Sequence, residues 1–163
     1  MNIGHIENIN PVAGIDNKMI SIETGVKDAK EGDQLKIIIS EGGNNIAEEI
    51  INAGAIAEVK LKDAKRWSPA NPFLYDLKIQ LVRNGQVLDE VGSYFAMRKI
   101  SLSPDKNGVQ RLMLNNEFLF QFGMLDQGWW PDGLYTAATD EALQYDIVKA
   151  KEMGFNMLRK HVK

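Results

Sequence analysis

The stretch FLYDLKIQLVRNGQVLDEVGSYF, residues 73–95, decides the fold. Leu77, Ile79 and Leu81 alternate with Lys78 and Gln80. A two-residue period puts apolar side chains on one face of a strand and polar ones on the other. Asn84-Gly85 then interrupts the pattern before a second long run of apolar and aromatic residues. An Asn-Gly pair between two such runs predicts a β-hairpin, because a type I′ turn needs positive φ at both central residues. A hairpin with one apolar face must pack against more sheet.

The flanking sequence supplies it. KMISIETGV alternates through Ile20 and Ile22 toward Val26, and QLKIIIS through Leu35, Ile37 and Ile39. AIAEVKLKD places Ile56, Val59 and Leu61 on a further strand, and NNIAEEIINAG reads as an irregular strand and loop. KEGD, EGGNN and RNGQ punctuate these runs. Short strands at this spacing predict an immunoglobulin-like antiparallel sandwich of about 100 residues, here residues 1–104.

From residue 105 the period changes. GVQRLMLNNEFLFQFGML reads as strand, turn and strand, with Asn115-Asn116 at the turn, since Asn tolerates the left-handed region. The loop DQGWWPDGLYTAA follows. TDEALQYDIVKAKEMG predicts a helix with Thr139 as N-cap, Asp140 and Glu141 in the first turn, and Gly154 just past the end. Leu143, Ile147 and Ala150 have the spacing of a buried stripe. FNMLRKHV then reads as a strand, so the second half holds one βαβ unit with parallel strands. The fold class is mainly β with an α/β C-terminal piece, residues 105–163. One parallel pair with one helix cannot cover both its faces.

The composition is that of a globular chain: 44% hydrophobic, 25% charged, net charge −3. No basic block marks a nucleic-acid partner. No apolar run is long enough to span a membrane, and MNIGHIENINPV lacks the blocks of a signal peptide. Cysteine is absent, which excludes disulfides and thiolate metal sites. His5 stands alone in a loose N-terminus, so no metal is expected, and phosphate-loop and dinucleotide fingerprints are missing, so no cofactor is expected either. The compartment stays open: periplasmic, extracellular and cytoplasmic locations are all compatible.

Three motifs occur in a fixed order. RWSPANPFLYDLKIQL, residues 66–81, carries Trp67-Ser68-Pro69 and Asn71-Pro72. YFAMRKISL, residues 94–102, carries Arg98-Lys99-Ile100. RLMLNNEFLFQFGML is followed by a helix and GFNMLRKH. The series resembles glycoside hydrolase family 2, the β-galactosidase, β-glucuronidase and β-mannosidase group. The family usually has Gly where Ala96 stands and often Gly where Asn116 stands.

The resemblance implies a fragment: the immunoglobulin-like sandwich and the first strands and helix of a (β/α)8 barrel. It also implies that both catalytic glutamates, on later barrel strands, lie outside these residues. Retaining hydrolysis needs two carboxyl groups about 5 Å apart across the bond, so no catalytic residue is assigned and the chain alone is expected to be inactive. Glu48-Glu49 and Asp140-Glu141 are expected to be solvated charges.

Site residues follow from the same resemblance. Asn156 and Arg159 keep the family's spacing on barrel strand two, and the C-terminal ends of barrel strands carry active sites. Arg159 is therefore expected to line the parent pocket. His161 shares its face, two residues on, although the family often places His three residues after that Arg. The loop after barrel strand one holds Trp129 and Trp130, which offer faces to a sugar ring, and Asp126, which offers hydrogen bonds to its hydroxyls. Trp67 is expected to pack structurally at a sandwich end, and Tyr75, Tyr94 and Phe95 to be core.

The function expected is a non-catalytic fragment of a retaining β-glycosidase, β-galactosidase-like, whose partner in the full parent is a β-linked oligosaccharide or glycoside. Self-association through the incomplete barrel segment is expected of the isolated chain. The alternative is a free-standing immunoglobulin-like module for carbohydrate binding or adhesion.

Overall fold

The structure, a computed structural model, describes residues 4–161. Residues 4–102 together with Met113–Glu117 form one compact unit. Residues Ser103–Leu112 and 118–161 form another.

The first unit contains β1 (His5–Gly14), β2 (Met19–Lys27), β3 (Gln34–Glu41), β4 (Asn44–Asn52), β5 (Ala57–Lys60), β6 (Tyr75–Arg83) and β7 (Gln86–Phe95). They pair antiparallel in two sheets, ordered β1-β2-β5 and β4-β3-β6-β7. The alternating residues make the core. Leu35, Ile37 and Ile39 of β3 stand opposite Leu81, Ile79 and Leu77 of β6, and all six are buried. Ile20 and Ile22 of β2 are fully buried in the same cluster. Tyr75 stacks on Phe95 at 5.3 Å, and its hydroxyl accepts the Lys65 backbone N–H at 2.7 Å, which removes the cost of burying it. The β6–β7 turn is as expected: Asn84 has φ 50° and Gly85 φ 77°.

One strand departs from the expectation. The segment at His5 is not loose but the ten-residue β1, paired with β2 along its length. Pro11 lies within it, which an edge strand tolerates because it need not donate on its outer side. NNIAEEIIN is strand β4, also at an edge, with a register shift opposite Ile39–Ser40 and a turn after it, which agrees with the irregular strand and loop expected there. Ile46 and Ile50 of β4 are exposed, so it lacks the alternation that marks a half-buried strand.

One buried charge fixes the β2–β3 connection. Asp33 is 2% exposed and receives Arg83 Nε and Nη2 at 2.7 Å each, and the Lys30 N–H at 2.8 Å. The Arg83 guanidinium and the Lys30 amide hold its carboxyl down at about 2.

The three sequence motifs meet at one place in this unit. Asn115 donates its side-chain amide to the Trp67 carbonyl at 2.9 Å and accepts the Lys99 N–H at 3.1 Å. The Trp67 N–H donates to the Met97 carbonyl at 3.0 Å. Lys99 and Asn116 both donate to Asp16, at 2.6 and 2.7 Å, and hold its carboxyl below the usual range. Asn115 and Asn116 have φ 54° and 71°, so Asn116 does the work of the expected glycine. Ala96 needs no glycine, because its φ is not positive. Trp67 is half-buried under the Arg98 guanidinium, 5.0 Å from its ring. Tyr94 corrects another expectation: at 66% exposed it is no core residue, since on β7 it faces away from its buried neighbour Phe95.

Beyond β7 come β8 (Ile100–Pro104), β9 (Gln110–Leu114) and β10 (Glu117–Phe118), a sheet ordered β10-β9-β8. The second unit then has β11 (Gly123–Asp126), α1 (Asp140–Glu152) and β12 (Met157–Lys160). β11 and β12 are parallel neighbours joined through the helix, a βαβ unit. Thr139 caps α1 by accepting the Ala142 N–H at 3.2 Å, and Gly154 follows its end. The expected stripe is buried only at Ala150; Leu143 and Ile147 are exposed, because a sheet of two strands is too narrow to cover the helix face. No helix is long and apolar enough to cross a membrane among the described residues.

Candidate functional site

Asn156 sets the strand pair. Its side chain accepts the Phe122 N–H at 2.9 Å and donates to the Phe120 carbonyl at 2.8 Å. Its backbone N–H donates to the Phe122 carbonyl at 2.9 Å. This clamp aligns the residues entering β11 with those entering β12. At Gly123 the strands approach so closely that a Cβ would fall 2.0 Å from the Met157 carbonyl oxygen, so only glycine fits. The resulting register pairs Leu125 with Arg159 and Asp126 with Lys160.

That register builds the cluster at the C-terminal ends of the strands. Asp126 Oδ2 accepts from Lys160 Nζ at 2.8 Å, and Oδ1 accepts the Gly128 N–H at 2.7 Å. The Asp126 carbonyl accepts the His161 N–H at 2.9 Å, one step beyond the end of β12. Gln127 Nε2 lies 3.4 Å from His161 Nδ1. Asp126 thus opens the loop, ties the two strand ends together and neutralises Lys160.

The loop places the tryptophans differently. Trp129 is exposed and packs edge-on against Tyr135 at 4.9 Å. Trp130 is half-buried, exchanges backbone hydrogen bonds with Leu134 across Pro131-Asp132-Gly133, and its indole N–H finds no acceptor among the described residues. Asp126 and Trp129 line one cleft of about 660 Å³ with Tyr145 and Met153 of the α1 region and Leu158 of β12. Arg159 and His161 do not line it. Alternation turns Arg159 to the opposite face of the strand from Leu158, away from that cleft. Arg159 is exposed and has no ion pair or hydrogen-bond acceptor for its side chain among the described residues.

Of the five expected residues, Asp126 and Trp129 share the cleft, Arg159 lies on the opposite face of its strand, and Trp130 and His161 do not line the cleft. Lys160 and Gln127 join them, and neither was singled out from the sequence. Their roles depend on a register between segments about 34 residues apart, which local patterning does not carry. No grouping of three metal-ligating side chains occurs among the described residues.

A two-sheet antiparallel sandwich unit and a parallel βαβ unit with polar residues at its strand ends define a modular β-rich protein with an α/β segment. Comparison with known proteins gives the family. The model for glycosyl hydrolases family 2 matches residues 10–98, and the chain belongs to that family. A Formosa agariphila protein provisionally named a β-glucuronidase is 27% identical over 146 residues, covering 86% of this chain and 14% of its own length. A β-glycosidase structure from Bacteroides vulgatus superposes with a TM-score of 0.82 at 23% identity, over 98% of this chain and 21% of that one. A family 2 β-galacturonidase from Eisenbergiella tayi, bound to galacturonate, gives 0.74 at 20% identity, over 100% of this chain and 30% of that one. The chain thus spans less than a third of each of these proteins.

Proposed function

We propose that this chain is a non-catalytic part of a retaining β-glycosidase, in which the sandwich braces a catalytic barrel begun by β11, α1 and β12. The family match over residues 10–98 carries this reading. The site geometry supports it: Arg159 stands near the C-terminal end of a parallel strand on the face away from the helix. In a barrel that face is the interior and that end is the active-site rim. Arg159 would line the pocket as a free cation, with His161 and Gln127 at the rim, and the Asp126–Lys160 pair holding the strand ends in place.

The parent substrate is a β-linked glycoside whose O-glycosidic bond is hydrolysed. The names of the relatives favour a uronide over the neutral galactoside expected from the sequence. The isolated chain buries the apolar side chains of α1 by self-association, a role the rest of the parent would otherwise fill.

The test is an assay of the 163-residue chain and of the protein encoded by the longest reading frame containing it, on nitrophenyl β-glucuronide, β-galacturonide and β-galactoside. Turnover by the longer protein alone is expected. Hydrolysis by the isolated chain, or a natural stop codon directly after Lys163, would overturn the reading.

A further inference from the structure

The sandwich carries a second feature that the glycosidase reading does not use. β1 and β7 are each an outer strand of their sheet, and they run close to each other: the Ile6 N–H donates to Asp89 Oδ2 at 2.8 Å. Toward the other end of this seam lies a groove of about 550 Å³, lined among others by Pro11, Val12, Trp67, Leu74, Tyr94 and Arg98. Among the described residues, Arg98 is the only charged one lining it. Its guanidinium lies over the Trp67 ring at 5.0 Å and has no acceptor among the described residues. Trp67 is itself fixed, by its backbone bonds to Met97 and Asn115. The guanidinium is thereby held by stacking while its N–H groups stay unused. Tyr94 presents an exposed ring, and Val12 and Leu74 add exposed apolar surface.

We propose that this groove binds an acidic sugar unit of a glycan: the Arg98 fork takes the carboxylate and Tyr94 packs on the C–H face of the ring. A planar guanidinium matches a carboxylate with two parallel hydrogen bonds, and stacking on an aromatic lowers the entropy lost on binding. Among the described residues, no carboxylate lines the groove to compete for the cation. A neutral sugar would leave Arg98 without its partner, so the site discriminates by charge. This is a binding site within the sandwich unit, and it takes only its choice of sugar class from the glycosidase reading.

The test uses the whole 163-residue chain, titrated with cellobiouronic acid and with cellobiose, its neutral counterpart, while the Trp67 and Tyr94 signals are followed by NMR. We expect the acid to shift both signals and to bind about tenfold more tightly than cellobiose. Tyr94→Ala should weaken the acid's binding severalfold with an unchanged melting temperature, since the side chain is exposed. Arg98→Lys keeps the charge but loses the fork, and should lose most of the preference for the acid. Equal affinity for the two disaccharides, binding unaffected by Tyr94→Ala and Arg98→Lys, or no binding of the acid to the folded chain would each overturn the proposal. Absence of glycosidase activity in the longer protein would overturn the preceding section and leave the groove standing. Hydrolysis without binding here would do the reverse.

Discussion

Asp33 shows what a single residue contributes to the sandwich. Buried beneath Arg83, it stays ionised to a far lower pH than an unfolded Asp. Its folded value is depressed, so its stabilisation is fully present above the unfolded value of 3.8 and is lost as pH falls toward about 2. Urea titrations across that interval should show stability falling steeply with acidification. Asp33→Asn should flatten this dependence and lower stability near neutrality, where the Arg83 charge is left without its partner; an unchanged slope would show that the pair is not coupled to folding. Asn156 is the corresponding residue in the second unit. Asn156→Ala removes both side-chain bonds of the clamp and should cost about 1–2 kcal/mol locally, read as faster hydrogen exchange at the Phe122 amide. The sequence showed Asn156 only as part of a spacing with Arg159, and the structure gives it a mechanical role. It also shows why Asp126 was legible as polar and well placed but not as a strand tie. Its partner Lys160 is identified by register, not by any neighbour in the chain.

Among elements, legibility followed burial. β3 and β6 could be read because one face of each is sealed in the core, which forces strict alternation. β1 escaped and β4 was legible only as an irregular strand because edge strands have weaker constraints: β1 contains a bulge near Asn8 and a proline, and β4 exposes Ile46 and Ile50. The helix was legible from its ends. Thr139, the acidic first turn and Gly154 are local signals, and they hold whatever packs on the helix. Thr139→Ala should destabilise the helix by about 1 kcal/mol, measurable as faster exchange at the Ala142 amide. Its apolar stripe was expected to be buried, but a pattern does not state which surface covers it. Ala150 alone is buried, so enlarging it should strain the packing by about 1–3 kcal/mol, whereas Ile147→Ser should be nearly neutral in monomer stability.

At the scale of the molecule, apolar side chains are distributed unevenly. In the first unit the large apolar residues of β2, β3 and β6 are sealed between two sheets. In the second, Phe118, Phe120, Phe122, Tyr145, Ile147 and Met153 are all exposed. Surface of this kind leaves few sites where ordering is offset by burial, so the second unit should exchange its amides faster than β3 and β6. It also makes contact between chains favourable, because burying apolar area against a second copy gains what the single chain forgoes. Sedimentation velocity should therefore show the average mass rising with concentration. Ile147→Lys combined with Leu143→Lys places charge on the exposed helix face and should suppress that rise, while the sandwich amides keep their protection. Association that survives both substitutions would place the contact elsewhere, and a strictly monomeric chain at every concentration would mean that the exposed apolar surface is too dispersed to form an interface.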